Sequence, residues 1–227
     1  MGRIAALAVL AVLAAGAARA AVAADADRTR AECVPKGTAT LARNRVARVW
    51  RDGPADDSPR FALVGCVFAR GRQIGLDSPI DGYYGHLPPA MALNGTVLGW
   101  VSTDCSEECG TAIHADDLAR FPDEALNGGS ATLDPDEHVR VGSMTVTRSG
   151  ALAWITCPRR TRSEVQPRCL KPGAKVGVYR NLPGFDTPTE RLASGRDIDP
   201  SSLRRKGSTI SWIQDGTRRT SSLRPPG

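Results

Sequence analysis

Residues 91–100 read Met-Ala-Leu-Asn-Gly-Thr-Val-Leu-Gly-Trp, and three other segments of the chain follow a similar pattern. Each segment ends at a tryptophan, and the chain contains no others: Trp50, Trp100, Trp154 and Trp212. The tryptophans recur at intervals of 50, 54 and 58 residues. The aligned segments are 41–50, 91–100, 145–154 and 203–212. A repeat of this length indicates a fold built from about four similar units, each forming one supersecondary element.

Glycines give the repeat a second anchor. Gly95 and Gly207 lie five positions before their tryptophans, and Gly150 lies four positions before Trp154. Arg45 takes this place in the first unit. Such glycines, placed between two short apolar runs, are typical of turns that join strands.

Short runs rich in Val, Ile, Leu and aromatic residues predict strands, and Gly, Pro, Asp, Asn and Ser separate them. The predicted strands are 45–50, 61–68, 91–95, 96–102, 111–114, 144–146, 151–156, 176–179 and 209–213. Segments 52–60, 77–89 and 180–196 are predicted to be long loops. We therefore expect an all-β repeat domain over residues 24–223, and a disordered tail at 224–227.

The four tryptophans, three glycines and following strands resemble the blades of β-propellers of the TolB-like and WD40-like kind. They are also similar to secreted actinobacterial proteins of uncharacterised function that carry such repeats. The resemblance implies about four propeller-like β-meander repeats in which each tryptophan is a core residue. The chain has no Trp-Asp dipeptide, so the hydrogen-bond network of the WD40 subfamily does not carry over. A β-sandwich or an incomplete propeller would fit the same pattern.

The N-terminus predicts export. Arg3 is followed by an apolar stretch over residues 4–18 and by small-residue sites such as Ala18-Arg-Ala20 and Ala21-Val-Ala23. This order is typical of a secretory signal peptide, here residues 1–23. The stretch is shorter than the roughly 20 residues that span a bilayer, so we expect no transmembrane segment in the mature chain.

Composition says little about the partner. The net charge of +6 falls to +4 when Arg3 and Arg19 are removed with the signal peptide. Arginine carries most of this charge, but 24 acidic residues dilute it along the chain. Codon bias in a GC-rich genome accounts for arginine over lysine, and we expect no nucleic acid partner. An envelope or extracellular polymer or protein remains the open possibility.

Six cysteines in an exported chain predict three disulfides. Proximity favours the pairs Cys105–Cys109 and Cys157–Cys169, which leaves Cys33 to pair with Cys66. Zinc bound by Cys105, Cys109 and His114 is the alternative for one group, but it lacks a fourth ligand. The acidic segment 134–138 offers oxygen ligands for calcium without the spacing of an EF-hand loop. We therefore expect neither a metal nor another cofactor.

Catalytic patterns are sparse. The chain has no Gly-x-Ser-x-Gly elbow and no His-Glu-x-x-His motif. Hydrolysis could in principle involve Ser130, Ser143, or His114 with Asp116 and Asp117. Each of these is more typical of a turn or strand end. The aromatic group Tyr83, Tyr84 and His86 is the better candidate for binding, because exposed rings stack on sugars or peptides. We therefore expect a non-enzymatic binding or structural module; an extracellular hydrolase with an unrecognised active site is the alternative.

Overall fold

The fold comes from a computed structural model of the chain. It describes residues 30–52, 62–76, 90–104, 110–120, 131–133, 139–158, 175–183 and 188–224. Apart from one helical turn at 30–32, the regular structure in these ranges is β. The predicted signal peptide lies outside them, as does all of the predicted tail except Arg224.

Fifteen described strands form four antiparallel sheets in chain order. The first sheet holds β1 (Ala39–Arg43), β2 (Ala47–Asp52), β3 (Ala62–Val67) and β4 (Gln73–Leu76). The second holds β5 (Met91–Asn94), β6 (Val97–Asp104), β7 (Gly110–Asp117) and β8 (Ala131–Leu133). The third holds β9 (Val139–Val146), β10 (Leu152–Pro158), β11 (Val176–Asn181) and β12 (Glu190–Gly195). The fourth holds β13 (Arg204–Lys206), β14 (Thr209–Gln214) and β15 (Thr217–Ser222).

Each sheet is a meander in which strands adjacent in sequence are hydrogen-bonded neighbours. The four tryptophans occupy the same place in all four, on the second strand: β2, β6, β10 and β14. The all-β prediction and the count of about four β-meander repeats are therefore confirmed. The described residues form four sheets, whereas a sandwich has two.

The repeat glycines are turn residues, as predicted. Gly95, Gly150 and Gly207 have φ angles of +64°, +88° and +62°, in the left-handed region that glycine adopts without strain. In each of the three units the turn joins the first strand to the tryptophan strand. In the fourth sheet a second tight hairpin follows, and both of its loop residues, Asp215 and Gly216, have positive φ. That pattern is the type I′ turn favoured by Asp-Gly.

One packing rule relates the sheets. Trp100 faces the first sheet, where it shares a core with Val49, Leu63 and Leu118. Trp154 likewise packs against Val97 and Ile113 of the second sheet. Trp212 packs against the third. Each of these three tryptophans is therefore buried against the preceding sheet, and the opposite face of each of the first three sheets receives the next sheet.

The first sheet has no preceding sheet among the described residues, and a small cap covers Trp50 instead. The cap cluster contains Cys33, Val64, Cys66 and Phe68, and Trp50 is buried beneath it. The Cys33–Cys66 disulfide holds the N-terminal segment in place, as predicted. Among the described residues, a disulfide-anchored segment thus takes the place that a preceding sheet takes for the other three tryptophans.

Arg48 completes the cap. It stands two positions before Trp50, where the other units carry Leu98, Leu152 and Ile210. Its guanidinium lies over the Trp50 ring at 5.2 Å and donates to the Cys33 carbonyl at 3.2 Å and the Thr38 carbonyl at 3.0 Å. Burial lowers the pKa of Arg48, and the charge of Arg43 adds to this. The hydrogen bonds offset the cost of burying this charged side chain.

The sheets are also joined near their turns. The Asn44 amide donates to the Gly95 carbonyl at 2.9 Å, which ties the first hairpin of sheet one to that of sheet two. The first strands β1, β5 and β9 contact one another in sequence. These contacts fix the position of each of the first three sheets relative to its neighbour.

Two predictions differ from the structure or extend beyond it. Segment 180–196, predicted as a loop, contains β12. Its strand residues are exposed or half-buried, so they lack the apolar pattern by which a strand is recognised. Cys157 is disulfide-bonded. The predicted pairs Cys105–Cys109 and Cys157–Cys169 involve residues outside the described ranges and stay predictions.

Replacing both Cys33 and Cys66 by serine should lower the free energy of unfolding by about 3–4 kcal/mol. This figure follows from the chain entropy released when a loop of 33 residues is opened. Urea unfolding of the double variant and the wild type measures the loss. The variant is preferable to a reductant, because a reductant would also attack the Cys157 disulfide. An unchanged unfolding midpoint would contradict the role given to this cap.

Gly65→Ala should destabilise the protein by about 1–3 kcal/mol, the usual cost of overpacking. A Cβ at Gly65 would lie 2.8 Å from Leu118 Cδ2, and Leu118 is only 1% exposed and has little room to move. Gly75→Ala in the adjacent strand is the matched control, since a Cβ there meets nothing within 4 Å. We expect the free energy of unfolding of Gly75→Ala to lie within about 1 kcal/mol of the wild-type value. Equal stability of the two variants would show that the first two sheets do not touch closely at Gly65.

Candidate functional site

Most residues predicted from the sequence as functional lie outside the described ranges. These are Tyr83, Tyr84, His86, Ser130 and the acidic segment 134–138. Ser143 is described, and its hydroxyl donates to the Pro200 carbonyl at 2.7 Å. That bond joins the third sheet to the segment entering the fourth. Ser143 therefore has a structural contact.

A polar cluster surrounds Trp100 on the second sheet. The Ser102 Oγ and His114 Nε2 atoms are 2.7 Å apart, and either can donate the hydrogen bond. The His114 ring stacks on Trp100 with a centroid distance of 4.7 Å. The Trp100 indole donates to the Asp116 carboxylate at 2.6 Å. The register pairs Trp100 with His114, which puts all four side chains on the face turned toward the first sheet.

This cluster contains a serine and a histidine in contact, which the sequence did not predict as a pair. A serine nucleophile needs a base oriented by a third group and a strained, exposed position. Asp116 is engaged by the Trp100 indole, and among the described residues no carboxylate is hydrogen-bonded to His114. Ser102 is buried, and it lies within strand β6, where it pairs with Ala112 of β7. The geometry is that of a satisfied polar contact at the border of the core.

The third sheet shows the same arrangement with different residues. Trp154 pairs with Tyr179 across the strands, and their rings stack at 5.9 Å. His114 therefore occupies in sheet two the position that Tyr179 occupies in sheet three. The repeat uses this position for a ring that covers the tryptophan. The indole N–H of Trp154 is buried and has no hydrogen-bond partner among the described residues, whereas that of Trp100 donates to Asp116.

Burial lowers the pKa of His114 from its ordinary value of 6.5, while the nearby charge of Asp116 acts in the opposite direction. The neutral form is therefore favoured in the folded protein. The neutral ring can accept from or donate to Ser102 without a buried charge.

The described residues contain no group of three or more His, Cys, Asp and Glu side chains arranged to hold a metal ion. Within the same ranges, no helix is long and apolar enough to cross a bilayer.

The outer face of the fourth sheet has a different character. Ile210 and Trp212 turn inward to the third sheet, so the alternate residues of β14 and their cross-strand partners point away from it. We call this surface the terminal face. It consists of Arg204, Lys206, Thr209, Ser211, Ile213, Arg218, Thr220 and Ser222. Three of its residues are basic, four carry hydroxyls and none is acidic.

The net positive charge of the chain is concentrated in the unit that carries this face. Residues 200–227 contain six basic side chains and one acidic one, Asp215. Residues 24–199 contain 22 basic and 23 acidic side chains. The excess charge therefore belongs to the last unit, and the expectation of a charge diluted along the whole chain is wrong. The whole-chain count hid this asymmetry, which counting by unit would have found.

No described carboxylate neutralises the terminal face. Arg204, Lys206 and Arg218 are exposed. Arg204 donates to the Ser201 and Leu203 carbonyls at 2.8 Å. In the described part of the chain none of the three forms an ion pair. An anionic group would therefore meet uncompensated positive charge together with hydroxyl donors.

Comparisons with known proteins identify no family. No protein-family model matches the chain, and no curated protein is similar to it. Among solved structures, the AtxE2 isopeptidase with Astexin3-dC4 bound is similar over 84% of this chain and 33% of its own, with 11% identity and a TM-score of 0.32. The apo AtxE2 isopeptidase is similar over 86% of this chain and 35% of its own, with 10% identity and a TM-score of 0.31. The chain thus spans about a third of the isopeptidase, and at this TM-score the likeness carries no argument about architecture or activity.

His114 should make the protein less stable in mild acid. Because folding lowers the pKa of His114, the unfolded chain binds this proton at a higher pH than the folded chain does. As the pH falls below about 6.5, protonation therefore favours the unfolded state, and this contribution vanishes above that pH. His114→Tyr, which copies the Trp154–Tyr179 pair of the third sheet, should remove it and keep a stacked ring.

Urea unfolding of the wild type and His114→Tyr at pH 8 and pH 5.5 measures this effect. The two proteins share all other titrating groups, so the contributions of those groups cancel in the difference between the two free energies of unfolding. We expect the wild type to lose more stability than the variant on acidification. If the difference in free energy of unfolding between the two proteins is the same at both pH values, the lowered pKa assigned to His114 is refuted.

Proposed function

We propose that this protein is an exported, non-catalytic binding module that holds an anionic partner on the terminal face of its fourth sheet. The observation that carries the proposal is the position of the charge. Three exposed basic side chains lie on one sheet face with no acidic residue among them, while the preceding units are close to neutral. Such a surface attracts and orients an anionic partner.

Export is supported by the N-terminal pattern of residues 1–23 and by the Cys33–Cys66 disulfide. Disulfides form and persist in oxidising compartments, which include the bacterial periplasm and the extracellular space. The proposal therefore includes an envelope or extracellular location, with an envelope polymer or an extracellular protein as the partner.

The absence of catalysis in this proposal is supported by the local role of the Ser102–His114 contact. Its serine is buried in a paired strand, and its histidine takes the position of a stacking tyrosine. The sheets thus provide a rigid support, and the work of the protein is recognition.

We further propose that the sheets form part of a propeller-like arrangement. Support comes from the neighbouring first strands β1, β5 and β9 and from the packing of Trp100, Trp154 and Trp212, each of which faces the preceding sheet. Both features are those of blades placed around an axis. Within the described residues the series is open: the cap around Cys33 covers its first face, and the terminal face is exposed.

A charge-removal variant tests the proposed function. Arg204→Ser, Lys206→Ser and Arg218→Ser together should weaken binding of the full chain to poly-L-glutamate and to dextran sulfate by about tenfold. This figure assumes about 0.5 kcal/mol for each of three exposed charge contacts. Binding is measured by titration calorimetry near physiological salt.

The matched control removes three exposed basic residues elsewhere: Lys36→Ser, Arg45→Ser and Arg72→Ser. It carries the same net charge as the first variant, so we expect nearly wild-type binding. An equal loss in both variants would mean that only net charge matters. A wild type that binds neither polymer would refute the proposed function.

A further inference from the structure

The fourth sheet is one strand short of the other three. Sheets one to three add β4, β8 and β12 beside their third strands β3, β7 and β11. The third strand of the last sheet is β15, and no described strand lies on its far side. Every β15 residue except Ser221 is exposed. Its outer edge therefore occupies the place where the repeat elsewhere adds a fourth strand.

The register shows which backbone groups this edge presents. A two-residue loop closes the hairpin between Gln214 and Thr217, and Leu223 N donates to the Ser208 carbonyl at 2.7 Å at the other end. In an antiparallel ladder, hydrogen-bonded pairs alternate with pairs whose N–H and C=O groups point outward. The backbone groups of Arg218, Thr220 and Ser222 therefore point to the open edge.

One of these groups is already used. Arg180 Nη1 donates to the Ser222 carbonyl, while the same side chain forms an ion pair with Glu190. No described hydrogen bond reaches the outward N–H and C=O groups of Arg218 and Thr220. The free edge thus runs along Arg218–Ser221. It matches the fourth strands of the first two sheets, which have four and three residues.

The edge has few features that block pairing. Natural edge strands are protected by proline, bulges or charge. β15 contains no proline, and its pairing with β14 is continuous from Thr209↔Ser222 to Gln214↔Thr217. The pairings β1–β2, β9–β10 and β11–β12, by contrast, contain register shifts. Charge alone protects this edge, through Arg218 and Arg219.

We propose that an extended acidic segment of a partner protein adds to β15 as the fourth strand of the last sheet. Its backbone would bond to Arg218 and Thr220, which is recognition by strand addition. Arg218 faces outward and Arg219 lies across from Trp212 on the other side, so acidic residues on either side of the added strand meet an arginine.

The charge selects this occupant over a second copy of the chain. Two β15 strands placed edge to edge would bring four arginines together with no acid from either strand. Like charges on neighbouring strands oppose pairing. An acidic partner brings no such repulsion, because its carboxylates attract the arginines that keep a second copy away from the edge. This inference rests on the proposed function and adds the chemistry of the partner and its mode of binding.

Thr220→Pro tests the backbone contact. Proline removes the outward N–H of residue 220 while leaving the ladder to β14 intact, and prolines are tolerated on edge strands. Thr220→Val is the matched control, because it keeps the N–H and favours a strand. The probe is a short capped peptide of alternating glutamate and valine, titrated into the full chain. Both variants lose the Thr220 hydroxyl of the terminal face, so the backbone N–H is what separates them, and we expect Thr220→Pro to bind the peptide at least about tenfold more weakly than Thr220→Val.

A second measurement does not depend on how the variant folds. A copy of the peptide N-methylated at every residue keeps its charge but has no backbone donors, and it should bind the wild type at least about tenfold more weakly. Equal binding of both peptides, or no binding of the unmodified one, overturns strand addition. If poly-L-glutamate still binds in either case, the proposed function survives. A wild-type dimer that Thr220→Pro dissociates would also overturn the inference, because a second copy would then occupy the edge.

Discussion

The burial of one tryptophan face per sheet against the preceding sheet is the constraint on which the rest of the structure depends. A single meander of three or four strands cannot cover its own apolar face, so each sheet needs a neighbour. The residue just before the tryptophan then points to the next sheet, and it is small in the units that require close approach. Gly99 allows Leu152 and Val146 of the third sheet to lie 3.1 Å from the place where its Cβ would be. At each interface, the tryptophan of the later sheet and the residue before the tryptophan of the earlier sheet therefore form the two sides of the contact.

The described series of sheets has two outer faces, and these two faces differ chemically. At the first sheet the tryptophan face is apolar by construction, so it needs a cover. Cys33, Phe68 and the stacked Arg48 provide one, and the disulfide keeps it closed. At the last sheet the exposed face has no tryptophan, because Trp212 turns inward. Hydroxyl and basic side chains can occupy that face without loss of core, which leaves it open to selection for binding.

The sequence was informative where strands are buried and uninformative where they are not. Strands such as β6 and β10 carry apolar residues on both faces because they lie between two sheets, and their pattern predicted them directly. The strands that the pattern missed all lie at sheet edges: β1, β4, β8, β12, β13 and β15. Edge strands such as β12 and β15 follow the polar requirements of the surface, so hydrophobic periodicity cannot find them. The Ser102–His114 contact was equally hidden, because it depends on the pairing register of β6 with β7. The charge of the last unit was visible in the sequence but required a count by repeat.

The terminal face also satisfies the general need of a repeat array for a polar end, and this need alone does not explain its composition. A solubilising end works with charges of both signs, which avoid a one-sided field. Here the described strands of the last sheet contain five basic residues and no acid, although acids are as frequent as bases in the units before it. One sign of charge has two effects that a mixed surface lacks. It opposes pairing of β15 with another copy, and in our proposal it favours an acidic strand in the same position. On that proposal, protection against aggregation and recognition of a partner are two consequences of the same arginines, and replacing them should weaken both together.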